Sequence, residues 1–207
     1  MNRPSPLLPG VLAMAAVVTA SNILVQFRLG DWLTWGALTY PFAFLVTDVI
    51  NRIAGATAAR RVVVAGFAVG VLCSLAAAAL DKTTLRIALA SGTAFLAAQL
   101  LDVAIFDRLR RGSWWRAPLV STLVSSSLDT VIFFSLAFAA AFAFIDPADD
   151  VAWANELVPL FGAGPMLPLW AALGTADWLV KLALAALTLV PFRLIVFNLL
   201  QRRAESR

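Results

Sequence analysis

The chain has no histidine, a single cysteine and little charge: only 14% of its 207 residues are Asp, Glu, Lys or Arg, against roughly 25% in ordinary soluble chains. Each shortage excludes something. Without imidazole there is no Ser/His or Cys/His couple and no histidine metal ligand. Cys73 sits alone in an apolar run and cannot close an intrachain disulfide. No G-x-x-x-x-G-K-[ST] phosphate loop occurs, so the chain does not power itself with ATP. Only an aspartate pair could serve an enzyme here, and no paired aspartates stand in a catalytic motif. The sequence therefore reads as a non-enzyme that needs no cofactor. What is abundant is apolar: 61% of residues are hydrophobic and the mean hydropathy is +0.87, against roughly 45–50% apolar in soluble domains. A water-soluble globule of this size has no core large enough for them. The composition predicts an all-α polytopic membrane protein.

A spanning helix takes about 20 mostly apolar residues. Six such stretches are expected, at about 7–27, 33–53, 62–80, 85–109, 117–145 and 169–200, the last with a kink at Pro191. The acidic stretch 146–168, punctuated by Pro and Gly, reads as an outside loop with a short interfacial helix around Trp153. The whole of 1–207 is expected to be one transmembrane domain. A leader-like reading of the first twenty residues, with cleavage after Ala20, is set aside. The apolar run continues past that point, and its loss would leave five spans.

The arginines set the direction. Twelve basic residues fall on one side of this scheme: Arg3, Arg52, Arg60, Arg61, Arg108, Arg110, Arg111, Arg116, Arg193, Arg202, Arg203 and Arg207. Three fall on the other, Arg28, Lys82 and Arg86, beside Asp31, Asp81, Asp146, Asp149, Asp150 and Glu156. This split places both termini in the cytoplasm. The net charge of +4 thus reports topology, not a nucleic-acid partner. Gly66-x-x-x-Gly70 in the third span marks a close helix–helix approach. The second and fourth spans both end in an Asp-Val step followed by an arginine, which hints at a duplicated two-helix unit.

Several polar side chains stand where lipid would not tolerate them. An ionised Asp at a helix centre costs at least ~2.5–3.5 kcal/mol on insertion scales, so these groups face the interior, water or one another. They are Asn22; Thr39, Tyr40, Thr47 and Asp48; Gln99 and Asp102; Ser125, Ser126, Ser127, Asp129 and Thr130; and Asp177 with Lys181. Asp177 and Lys181 are four apart and share a helix face. Asp129 is twelve residues past Ala117, about 18 Å into the membrane at ~1.5 Å per residue. Lys181 is twelve past Leu169 from the opposite side, so the two are expected to meet across the bundle. Each group also has a purely structural reading. Asp177–Lys181 can be an ion pair, Asp48 and Asp102 inner-end anchors, Asn22 interhelical glue, the serines small-residue packing, and Tyr40-Pro41 a helix break. Together they favour one polar internal cavity. Such a cavity suits a carrier for a small polar solute, or the capture subunit of a larger uptake system driven by a separate ATPase.

The motifs ASNIL (20–24), GALTYPFAFLVTDVINRIAGATAARRVV (36–63), RIALASGTAFLAAQLLDVAIFDRLRR (86–111) and WWRAPLVSTLVSSSLDTVIFFSLAF (114–138) together resemble the queuosine precursor transporter family, also called the vitamin uptake transporter family. The sixth span, with Asp177 and Lys181, resembles it more loosely. The resemblance implies a six-helix bacterial inner-membrane protein that imports 7-deazaguanine precursors of the tRNA nucleoside queuosine, such as the 7-cyano and 7-aminomethyl forms. The positions that match the family's motifs are Asn22, Thr47, Asp48, Gln99, Asp102 and Asp129. The chemistry agrees. A deazaguanine presents an amidine-like N–H edge on which a carboxylate accepts two parallel hydrogen bonds. Amides serve its carbonyl and ring nitrogens. Rings such as Tyr40, Phe44 or Phe133 stack on its faces. The expected site is Asp48, Asp102 and Asp129 on the ring edge, with Asn22 and Gln99 assisting and Lys181 balancing charge. Tyr40, Phe44, Thr47, Ser126 and Asp177 complete it. The expected partners are that small molecule and the lipid bilayer. A different planar solute, a homo-oligomer and an ATPase partner stay open.

Overall fold

The computed structural model describes residues 7–205. Arg3 and Arg207 lie outside the described residues, as do the side chains of Arg202 and Arg203. The long helices are α1 (Leu7–Leu24), α4 (Ala56–Ala79), α5 (Leu85–Leu109), α6 (Arg116–Phe138) and α7 (Leu169–Leu187), which runs on after one residue into α8 (Leu189–Glu205). Between α1 and α4 lie two short helices, α2 (Trp35–Thr39) and α3 (Phe42–Ala54). Five of the described helices, counting Leu169–Gln201 as one, are long and apolar enough to cross a membrane. Two small antiparallel hairpins, β1 (Arg28–Leu29) with β2 (Leu33–Thr34) and β3 (Leu157–Pro159) with β4 (Met166–Pro168), sit in the connections and leave the class all-α.

Several boundaries differ from those read off the sequence, each for a local reason. The second stretch is not one helix. Tyr40-Pro41 divides it, because proline has no N–H to give and its ring crowds the preceding turn. The third helix starts at Ala56 rather than near 62, since Arg60 and Arg61 extend it while exposed to solvent. Gly55, at φ +86°, is its entire connection to α3, a conformation that glycine adopts without a Cβ clash. The fifth helix stops at Phe138 rather than 145. Ala139 is extended, and 140–145 form 3-10 turns that hydropathy alone does not separate from a span. The last helix breaks at Thr188, three residues before the proline expected to kink it. Pro191 cannot donate to the Leu187 carbonyl one turn earlier. The short helix expected near Trp153 is a 3-10 turn, Ala152–Asn155.

The packing is tight where residues are small. A Cβ on Gly10 would meet Ile50 and Val62, one on Gly66 would meet Met14, and one on Gly70 would touch Val18. The steps Gly10–Val62, Met14–Gly66 and Val18–Gly70 advance together, so α1 and α4 run parallel. Thr47 meets Gln99 and Asn51 meets Val103, so α3 and α5 are parallel too. Met14, Val18, Ala43, Ile50, Val62, Val63, Phe95 and Val103 form the buried core between these four helices. A second cluster, Val49, Phe106, Ala117 and Phe192, closes the arginine-rich end. Leu8, Leu12, Val64, Leu72, Leu75, Val131 and Leu194 point outward and are exposed, as they are when the surrounding solvent is hydrocarbon.

Candidate functional site

Two helices bring charge to one place in mid-bundle. Lys181 Nζ, from α7, donates to Asp129 Oδ2 of α6 at 2.7 Å and pairs with Asp177 Oδ2, one turn back on its own helix, at 2.5 Å. The Lys181 side chain is 5% exposed, so in this setting it needs both carboxylates. Thr130 bridges the group, standing 3.1 Å from Lys181 Nζ and donating to Asp177 Oδ2 at 3.0 Å. From the break between α2 and α3, the Tyr40 hydroxyl donates to Asp129 Oδ1 at 3.1 Å, and the Lys181 ammonium lies 5.6 Å from the Tyr40 ring centre. The interruption at Pro41 places that ring: edge contacts to Phe44 and Phe95, at 6.4 and 6.1 Å between ring centres, hold it. Depth counting brings Asp129 and Lys181 together, and the structure does as well.

The triad forms the floor of a cavity of about 740 Å³. Asn22, Tyr40, Asp129, Phe133, Asp177 and Lys181 line it among the residues singled out from sequence. Phe133, Phe134, Phe138 and Trp153 form an aromatic wall, with Phe133 edge-on to Phe134 at 5.1 Å and Phe138 against Trp153 at 5.8 Å. The cavity runs out to Arg28, Asp31 and Lys82, all exposed. Ser21 also lines it, donating to Thr39 at 3.1 Å. Asn22 spends its amide N–H on the Val18 carbonyl of its own helix, at 2.9 Å.

The remaining expected residues are elsewhere. Phe44, Thr47, Asp48, Gln99, Asp102 and Ser126 do not line the cavity, and all are buried. The single shared pocket read from sequence is thus two clusters. In the second, Asp48 of α3 receives Ser121 and Thr122 of α6 at 3.5 and 3.4 Å. Asp102 of α5 lies against Asp48 and Ser121. Thr47 stands 2.6 Å from the Gln99 amide, and Asn51 donates to the Val103 carbonyl at 3.1 Å. Asn51 Oδ1, Gln99 Nε2 and Ser125 Oγ find no hydrogen-bond partner among the described residues. Asn51, Ser121 and Thr122 were not singled out from sequence. They sit at polar helix ends, where a hydroxyl or amide is unremarkable by type. Asp48 does not pair with Arg52. That guanidinium bonds instead to the carbonyls of Arg110 and Trp114, fastening α3 to the α5–α6 turn.

Arg86, expected as a charge at the outer interface, is fully buried. Its Nε donates to the Leu136 carbonyl at 2.7 Å and its Nη2 to that of Ala139. It therefore caps the end of α6.

The family model described as "Putative vitamin uptake transporter" matches residues 34–196 of this chain. A "Probable queuosine precursor transporter" of Haemophilus influenzae is 35% identical over an alignment covering 91% of this chain and 85% of the relative. The "Queuosine precursor transporter" of Escherichia coli K12 is 32% identical, covering 92% of this chain and 86% of its own length. A Bacillus subtilis relative named "Probable queuosine precursor transporter" is 34% identical over 51% of this chain. No solved structure matches the chain. With bacterial transporters as relatives and five apolar helices long enough to span a bilayer, this is a multi-pass bacterial membrane protein. The chain belongs to the vitamin uptake transporter family, that of its queuosine precursor transporter relatives.

Proposed function

We propose that this chain imports a queuosine precursor, a 7-deazaguanine such as the 7-cyano or 7-aminomethyl form, across the bacterial inner membrane for tRNA modification. One observation carries the reading: near-full-length similarity to queuosine precursor transporters in a chain whose aromatic-walled cavity ends on two carboxylates and one ammonium. At about 740 Å³ the cavity has the size of small-molecule sites, roughly 300–1,000 Å³. Two aspartates against one lysine leave a negative charge in excess at its floor. That excess favours the N–H edge of the ring, on which a carboxylate can accept two bonds. Asn22 and Tyr40 offer further polar contacts, and Phe133, Phe134, Phe138 and Trp153 offer faces for stacking. Asp48, Asp102, Gln99 and Thr47 are left out of the ligand shell.

The same reading takes 1–207 as a single transmembrane domain with six crossings and both termini in the cytoplasm. Support comes from direction. Because α1 and α4 run parallel, the chain between them returns to the starting side. From Trp35 to Ala54 the broken α2–α3 segment covers about 30 Å at ~1.5 Å per residue, the thickness of the hydrocarbon core. Its proline break is tolerated because it lines the cavity rather than lipid. The cavity's mouth then faces the periplasm, opposite the arginine-rich end.

The test is uptake of a labelled 7-deazaguanine by cells producing this chain alone, with the cyano, aminomethyl and unsubstituted bases as competitors. Uptake above the empty-vector control, reduced by Asp129→Asn and Asp177→Asn, supports the reading and removes the ATPase-dependent capture subunit. No uptake overturns it as stated.

A further inference from the structure

Asp48 and Asp102 are buried acids that ligand binding in the cavity does not use. They are 3% and 0% exposed. Among the described residues, the groups that face them are these. Helix α3 brings Asp48 and, one turn on, Arg52, and α5 brings Asp102. Helix α6 presents only the hydroxyls of Ser121, Thr122 and Ser125, its one acid, Asp129, being held by Lys181 and Tyr40. Helix α8 packs Phe192 nearby and turns Arg193 onto Trp114, 4.8 Å from its ring centre. Arg52 is committed to two carbonyls and lies 5.2 Å from the Phe106 ring centre. Two carboxyl groups therefore stand side by side with no cation bonded to either among the described residues, in surroundings where an unpaired charge is costly.

The neighbouring oxygens point the same way. Asn51 Oδ1 and Ser125 Oγ are without partners among the described residues, both residues are fully buried, and Asp102 faces only Asp48 and Ser121 among the groups above. Asn51 is three residues from Asp48, and Ser125 is four from Ser121, so each shares the helix face that carries the cluster. Ser121 and Thr122 stand off from Asp48 by 3.5 and 3.4 Å, well beyond the ~2.7–2.8 Å of a good O–H···O bond. The arrangement is oxygen-rich, and its neighbouring cation, Arg52, spends its hydrogen bonds on the Arg110 and Trp114 carbonyls.

We propose that the cluster formed by Asp48, Asp102, Asn51, Ser121, Thr122 and Ser125 binds the monovalent cation, H⁺ or Na⁺, that drives uptake. This rests on the import reading and extends it to energy coupling. The two sites share their helices. Helix α3 carries Asp48, and Tyr40 stands just ahead of its first turn. Helix α6 carries Asp129 as well as the three hydroxyls. A ligand that moves Tyr40 against Asp129 shifts α3 relative to α6, and with it the space around Asp48. Buried acids in membrane bundles mark such ion paths.

The test uses the purified full chain and does not depend on the ligand for its first arm. Wild type is compared with Asp102→Asn and Asp48→Asn for Na⁺-dependent thermal stabilisation in detergent, and for proton uptake on acidification by a pH indicator. The proposal expects one of these responses in wild type and its loss in both variants. Ser125→Ala, which keeps both carboxyl groups, lowers the apparent cation affinity a few-fold and stands in if an Asn variant fails to fold. The second arm reconstitutes the chain in vesicles and reads accumulation of labelled 7-cyano-7-deazaguanine under an imposed proton or sodium gradient. Asp102→Asn lowers gradient-driven accumulation on the order of tenfold or more, while ligand binding to the purified variant persists. Identical cation responses in wild type and both Asn variants, or accumulation by Asp102→Asn that still follows the gradient, overturn the proposal. A normal cation response with no deazaguanine uptake overturns the import reading and leaves the cation site standing.

Discussion

Lys181 Nζ lies 2.7 Å from Asp129 Oδ2, although the two residues enter the bundle from opposite ends. With Asp177 on the other side of the ammonium, the lysine is shared, and this sets the order in which substitutions hurt. Lys181→Met leaves two buried carboxylates facing each other, and breaking a buried pair costs about 3–5 kcal/mol. Asp129→Asn leaves a one-to-one pair and costs less. Thermal unfolding in detergent is expected to rank wild type above Asp129→Asn and Asp129→Asn above Lys181→Met, with the double variant recovering part of the loss. A Lys181→Met protein as stable as wild type contradicts the shared-ammonium arrangement.

Tyr40 separates recognition from stability. Its hydroxyl reaches Asp129 Oδ1 at 3.1 Å, while its ring is held independently by Phe44 and Phe95. Tyr40→Phe removes the hydrogen bond and keeps the packing. In a cavity open to water a solvent molecule replaces the hydroxyl at Asp129, so the unfolding temperature changes little. Loss of the hydroxyl's contact to the ligand, about 1 kcal/mol, raises the transport KM about fivefold. A KM within error of wild type places the hydroxyl outside ligand recognition.

The meeting of Asp129 with Lys181 is legible in the sequence because helix rise converts residue count into depth. So are the i,i+4 pairing of Asp177 with Lys181 and the break at Tyr40-Pro41. The separation of Asp48 and Asp102 from the cavity is not. Depth places them nearer the arginine-rich end, but nothing in the sequence says which way each helix is turned. In a soluble helix the polar stripe marks the outside. Here both the lipid-facing and the core-facing sides are apolar, as Leu12 outside and Met14 inside on α1 illustrate, so the rotational signal vanishes. The same blindness carries the fifth span to 145. Ala140, Phe142 and Phe144 read as helix, though Ala139 is extended and the chain beyond it turns away. Arg86 escaped for the opposite reason, since its charge suggests an interface while its partners are carbonyls inside the bundle.

The small-residue seam between α1 and α4 gives a graded packing test. A Cβ on Gly66 would lie 2.5 Å from Met14 Cγ, whereas one on Gly70 would lie 3.6 Å from Val18 Cγ1. Overpacking a filled core costs about 1–3 kcal/mol. Gly66→Ala is expected to lower the unfolding temperature clearly and Gly70→Ala hardly at all. Met14→Ala placed in the Gly66→Ala background restores part of the loss. Equal effects at the two glycines contradict the close approach at Gly66.

Arg86 holds the end of α6 by its side chain. Without it the carbonyls of Leu136 and Ala139 lose their buried donors, and each unpaired buried acceptor costs about 1–3 kcal/mol. Arg86→Met is therefore expected to destabilise the chain and to release the segment that follows, which positions Phe138 and Trp153 in the cavity wall. Arg86→Lys keeps the charge but not the planar fork that reaches two carbonyls at once, so it should rescue only in part. Hydrogen exchange read peptide by peptide is the measurement. Protection is expected to fall across 136–145 in Arg86→Met, to an intermediate level in Arg86→Lys, and to stay unchanged in α1 and α4. A uniform loss across all helices would show that Arg86 supports the bundle as a whole rather than this one helix end.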